Sequence, residues 1–165
     1  FDPVVATVGR IQSGTTSNVI PEFAEMEITL RSLSVEARAR LAAAVEKLVR
    51  EIPAAHGLEV SFDIEKGYPP TVNHQSGAQA VAQVAKAVLG ENQYMEMATP
   101  WMGAEDFSYL LERFPGAFVF LGAAPIDGEP QPCHSSRMRL NEAAFPAGVA
   151  MYAALALQEL ADKPH

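Results

Sequence analysis

Residues 58 to 65, "LEVSFDIE", alternate without exception. Leu58, Val60, Phe62 and Ile64 fall on one side, and Glu59, Ser61, Asp63 and Glu65 on the other. A period of two marks a strand with one face buried and the other in water. The same alternation runs through 24 to 31, "AEMEITLR", where Ala24, Met26, Ile28 and Leu30 oppose Glu25, Glu27, Thr29 and Arg31. A third strand candidate is "VVATVGRI", 4 to 11, followed by the loop "QSGTTSN". Ahead of 58 to 65 lies "SVEARARLAAAVEKLVREIPAAHG", with Ser34 placed to cap a helix and Gly57 to stop it. Leu41, Val45, Leu48 and Ile52 supply its apolar stripe, and Pro53 tightens or kinks its last turns. Strand, strand, helix, strand predicts an antiparallel sheet covered on one face by a helix, an α+β arrangement. The other face, which carries Arg31, is open to solvent, a cleft or a partner.

The pattern breaks at "KGYPPTVNHQSG", 66 to 77, and a domain boundary is placed near residue 68. A helix is expected over about 75 to 90, with Val81, Val84, Val88 and Leu89 inward and Gly90 ending it. "TPWMGAEDFSYLLERFPG" reads as a loop entering a helix that Pro115–Gly116 terminates. "AFVFLGA", 117 to 123, is apolar enough for a strand covered on both faces. "AAFPAGVAMYAALAL", 143 to 157, is read as a buried core helix starting at Pro146, too short to span a bilayer. The second half is thus an incomplete α/β layer, because one strand makes no sheet. Together with a start that lacks methionine, this raises the expectation of a fragment.

Twenty acidic residues oppose twelve basic ones, and no lysine or arginine block occurs, so a nucleic-acid partner is not expected. No membrane partner is expected either, and with a single cysteine the expected location is the cytoplasm.

The chemical candidates are few. Cys133 and His134 are neighbours in "QPCHSSRMRLNE"; adjacent residues of an extended segment point apart, which disfavours a thiol–imidazole pair. Cys133 therefore reads as an incidental thiol. A zinc centre needs three or four protein ligands, and His56, His74, His134 and His165 show no ligand spacing. Glu105 and Asp106 suit either a helix N-terminus or a loop lining a site. Asn18 is either a turn former or a polar contact, and Arg31 either a solvated charge or a ligand-binding one.

Taken together, "TVGRIQSGTTSNVIPEFAEMEITLRS", "GYPPTVN", "MGAEDFSYLLERFPGAFVFLGA" and "HSSRMRLNE" resemble, in order, the bacterial metal-dependent amidohydrolases. The resemblance is to hippurate hydrolase, N-acyl-L-amino-acid amidohydrolases and the plant indole-acetyl-amino-acid hydrolases. These belong with the aminoacylases, acetylornithine deacetylases and glutamate carboxypeptidases. It implies that residues 1 to 67 are part of a lid, or dimerisation, domain of antiparallel strands plus helix. Residues 68 to 165 would be the C-terminal part of an α/β catalytic domain. It also implies a missing N-terminal half holding the general base and most metal ligands, a homodimer formed through the lid, and an N-acyl amino acid substrate. Two divalent ions are implied, of zinc, manganese, cobalt or nickel. Residue by residue, His134 matches a metal ligand, Asn18 and Arg31 match lid residues that hold the substrate carboxylate, and Gly103 and Glu105 lie in a loop beside the site. Gly103 and Ala104 would let that loop approach a ligand closely. The alternative is a non-catalytic association module built from the lid's strand–helix–strand unit.

Overall fold

The computed structural model describes residues 2–161. Its contacts divide the chain into two compact units, Phe1–Thr71 with Thr99–Tyr109, and Val72–Ala98 with Leu110–His165.

In the first unit β1 (Val4–Ser13) pairs antiparallel with β2 (Ala24–Ser32). Strict alternation along β1 would put Arg10 on the same face as Val4, Ala6 and Val8. The register instead shifts between Val8 and Arg10, leaving Gly9 as an unpaired bulge residue. Ile11 then lies opposite Met26, as Val8 lies opposite Ile28, so the apolar face continues across the bulge. Arg10 returns to the polar face opposite Glu27, with its Nη1 2.5 Å from Glu27 Oε1 and 3.4 Å from Glu25. The hydrogen bond and charge of Glu27, followed by the charge of Glu25, raise the Arg10 pKa.

Helix α1 (Val35–Ala55) begins where Ser34, in an extended conformation, accepts the Ala37 N–H on its hydroxyl at 3.0 Å. It ends in a Schellman motif. Gly57, at φ +71°, donates to Ala54 O, and Leu58 donates to Pro53 O. Only a residue without a Cβ takes that left-handed conformation cheaply. α1 buries Ala37 completely, and Leu41, Ala42, Val45 and Val49 are half-buried. Leu48 and Ile52 are more than half exposed, so the expected stripe is corrected at these two positions. The helical repeat places Val49, not Leu48, in line with Leu41, Ala42 and Val45.

The expected strand at 58 to 65 does not form. Its alternation is intact, but a strand also needs a ladder partner for its N–H and C=O groups. None is available among the described residues, and Leu58 and Ile64 stay exposed. Arg50 caps the Phe62 ring at 5.8 Å.

In the second unit α2 (Gln75–Leu89) packs against α4 (Phe145–Ala161), burying Val81, Val84 and Ala85. Val88 is exposed, contrary to expectation, and Gly90 ends the helix at φ +106°. The short α3 (Ser108–Leu111) lies where the chain passes from one unit to the other. The segment 117 to 123 is not a strand either. Its backbone is held by a side chain: the Asn73 carboxamide donates to Phe118 O at 2.9 Å and accepts Phe118 N–H at 2.7 Å. One amide thus replaces a neighbouring peptide group. His74 adds a backbone bond to Gly116 O at 3.0 Å and accepts Gly116 N–H on Nδ1 at 3.3 Å. The approach is so close that a Cβ on Gly77 would lie 2.5 Å from Gly116 carbonyl carbon. Val119, Phe120 and Leu121 are about half exposed, so this segment is not covered on both faces.

The last helix also departs from expectation. Helical structure runs unbroken over Glu142–Ala161, 20 residues, long and apolar enough to cross a bilayer by length and composition. None of its residues is fully buried, and although one side is half-buried, Val149, Tyr152, Leu157 and Leu160 face out. The core of the chain is thin. It exposes 13,533 Å², whereas two separate compact bodies of half its mass would together expose about 9,600 Å².

Candidate functional site

The first unit forms an open cavity of about 620 Å³ beside α1, bounded by the end of β2, the segment from Ile64 to Pro70, and Met102–Ala104. Arg31, Arg38 and Lys66 line it, against Glu65 as the one acidic lining residue. Arg31 projects from β2 opposite Val5 and donates Nη1–H to the Met102 carbonyl at 2.8 Å. Arg38, on the first turn of α1, donates Nη2–H to Gly67 O at 2.6 Å. Each guanidinium thus ties a remote segment down through a backbone carbonyl. A carbonyl satisfies a donor without neutralising its charge, and among the described residues no carboxylate pairs with Arg31 or Arg38. Arg31 retains donors on Nη1, Nη2 and Nε, in the planar fork that suits a carboxylate.

Gly103 lies in the same wall. The space a Cβ would occupy there is taken by the Trp101 ring, whose Cζ3 and Cε3 would lie 2.8 and 2.9 Å away. Glu105 is half-buried and turned to its own loop. Its Oε1 accepts Phe107 N–H at 3.3 Å, and its carbonyl accepts the hydroxyl of the buried Ser108 at 2.7 Å. Tyr68, in the cavity wall, meets Tyr109 edge-on at 5.8 Å. Asn18 sits in the exposed loop between β1 and β2, accepting the Thr16 hydroxyl at 3.0 Å, and does not line the cavity. Of the four expected substrate contacts, the cavity brings Arg31 and Gly103 together, and Asn18 and Glu105 lie outside its wall.

In the second unit Cys133 and His134 are the central residues of a turn closed by Ser135 N–H to Pro132 O at 2.9 Å. A second turn follows, with Met138 N–H on Ser135 O at 3.1 Å. Both Cys133 and His134 are exposed at the corner. The loop is closed at its base by Asn141 N–H to Ala123 O at 2.9 Å. Arg139 Nη2 reaches both Asp127 oxygens at 3.2 Å. The hydrogen bond from Arg139, more than its charge, lowers the Asp127 pKa. Among the described residues no group of three or more His, Cys, Asp or Glu side chains converges to hold a metal ion. The chain's described residues therefore do not fit a complete metal centre. His165 lies outside the described residues.

Sequence reasoning missed Arg38, Lys66 and the Met102 carbonyl as parts of the cavity. Arg38 shows as a cation at the start of the helix and Lys66 as one just after the strand candidate 58 to 65, but a backbone acceptor 71 residues from its donor leaves no local signal.

A sequence profile of peptidase family M20/M25/M40 matches residues 2–158. The IAA-amino acid hydrolase ILR1-like 2 of Arabidopsis thaliana is 32% identical over 167 residues, which cover 99% of this chain and 37% of that protein. The N-acetyldiaminopimelate deacetylase of Geobacillus thermodenitrificans is 33% identical over 150 residues, 91% of this chain and 38% of that protein. Among solved structures, the YXEP protein of Bacillus subtilis, described as a dinuclear metal binding peptidase, is 30% identical with a TM-score of 0.81. That match covers 97% of this chain and 43% of the YXEP chain. The chain thus spans less than half the length of these relatives.

Proposed function

The chain belongs to peptidase family M20/M25/M40, and from that premise we propose that it is part of a metal-dependent amidohydrolase that cleaves the amide bond of N-acyl amino acids. The observation that carries this reading is Arg31: a guanidinium in a cavity wall, oriented by one backbone carbonyl and without a carboxylate partner among the described residues. Such a group binds the free carboxylate of an acyl amino acid with two parallel hydrogen bonds. The names of two relatives, an IAA-amino acid hydrolase and an N-acetyldiaminopimelate deacetylase, support the same substrate class.

His134 is the metal ligand this chain contributes in the proposal, with Asn18 as a second contact to the substrate carboxylate. The remaining ligands and the general base lie outside the 165 residues, and the chain alone is inactive. Protein outside these residues also covers the exposed apolar faces, notably that of α4. In this reading residues 1 to 67 are lid and 68 to 165 catalytic domain, and the lid forms the homodimer.

The test uses the intact protein that carries this chain, assayed with N-benzoylglycine. His134→Ala should lose bound metal and hydrolysis together. Full metal content and full turnover in that variant would remove His134 from the centre. Arg31→Ala should raise KM, and an effect on thermal stability alone would remove Arg31 from substrate binding.

A further inference from the structure

We infer that Trp101 and Gly103 are positioning residues for Arg31, setting its guanidinium for a carboxylate ligand. This rests on the proposed carboxylate-binding role of Arg31. The Met102 carbonyl that receives Arg31 Nη1–H at 2.8 Å belongs to the peptide joining Met102 to Gly103. The direction of that carbonyl is therefore tied to the conformation of Gly103. The Trp101 ring packs where a Gly103 side chain would begin, with Cζ3 at 2.8 Å and Cη2 at 3.3 Å from the Cβ position. Ring and glycine thus lie against each other beside the 102–103 peptide. The missing Cβ thus makes room for the indole.

The consequence is preorganisation. Arg31 stands on the exposed face of a two-stranded sheet, where a long side chain samples many rotamers. A hydrogen bond to a fixed carbonyl removes much of that freedom before ligand arrives, so less is lost on binding. A Cβ at Gly103 forces the indole or the 102–103 peptide to move. If the peptide turns, Arg31 loses its anchor although it keeps its charge.

The experiment compares KM for N-benzoylglycine and for its primary carboxamide, in the intact protein and its variants. Gly103→Ala should raise KM for the acid about tenfold more than KM for the carboxamide, the worth of one charge-assisted hydrogen bond. Trp101→Leu, which removes the ring packed against Gly103, should give a selective loss of the same sign. A proportional change for acid and carboxamide in Gly103→Ala, or an unchanged ratio in Trp101→Leu, overturns the inference. If Arg31→Ala separates acid from carboxamide and Gly103→Ala does not, positioning falls and the carboxylate role stands. If Arg31→Ala fails to separate them, the carboxylate role falls and takes the inference with it. A second measurement leaves the loop unaltered. Trp101 is this chain's only tryptophan, and in the intact protein labelled with a fluorinated analogue the resonance that disappears in Trp101→Leu gives a local signal. N-benzoylglycine should shift that signal in the parent and not in Arg31→Ala. An equal shift in both would overturn the coupling.

Discussion

The surroundings of Arg31 and of His134 are built in opposite ways. Arg31 is held by a contact across 71 residues, from a strand to a distant loop. His134 sits on a turn made by its immediate neighbours, closed by a bond from Ser135 to Pro132. The first arrangement exists only when tertiary structure brings β2 and the Met102 loop together. The second needs little beyond a local chain reversal. A long-range anchor suits a group that must present a fixed fork to a ligand. A local turn suits a side chain that projects outward to be completed by other parts of the protein.

Experiments can break this contrast, beginning with the largest expected effect. His134→Ala in the intact protein should cost more than about a hundredfold in metal affinity or turnover, because even the outer partners of a metal ligand are worth 10- to 100-fold. Metal analysis of the dialysed variant checks this, and retention of metal would make the turn an ordinary loop. Arg31→Ala should raise KM by about 10- to 100-fold, as expected for a hydrogen bond to a charged group of roughly 1.5–3 kcal/mol. Steady-state kinetics at constant thermal stability would show it.

A smaller effect tests whether the second unit also depends on long-range anchoring. Asn73→Ala removes both bonds to Phe118 and should destabilise that unit by about 2 kcal/mol, at roughly 1 kcal/mol for each bond. Denaturant unfolding measures it, and an unchanged midpoint would show that 117 to 123 is held by packing alone. The smallest effect concerns the Asp127–Arg139 pair below the His134 turn. The carboxyl is held below its ordinary pKa in the folded chain. Its stabilising contribution is therefore present above the unfolded value of about 3.9 and fades as pH falls through the folded one. Asp127→Asn should accordingly remove a small part of the acid sensitivity of Tm. The effect is small because both side chains are well exposed.

Much of the local structure was legible in the residues. Ser34 and Gly57 bracket α1 as their chemistry requires, and Gly90 ends α2. The alternation of 24 to 31 became β2 with its polar face as read. Equal alternation at 58 to 65 produced no strand, and an apolar run at 117 to 123 produced a segment clasped by Asn73. Periodicity reports which side of a segment is apolar. It carries no information about whether a neighbour with free backbone groups stands 5 Å away, as a strand demands. The site divides in the same way. Arg31 and Gly103, which line the cavity, were visible as types in recognisable motifs. The indole over Gly103 and the cations Arg38 and Lys66 beside Arg31 were not.

By itself, then, the sequence determined what depends on neighbours a few residues away: helix limits, turn positions, the faces of β2, and the order of motifs that marks the family. Tertiary structure alone decided which extended segments found partners, where the Gly9 bulge returned Arg10 to the polar face, and which carbonyl would hold Arg31. The physical reason is range. Capping and periodicity act over one helical turn or one pleat. Hydrogen bonds between remote segments depend on where the whole chain has already placed them.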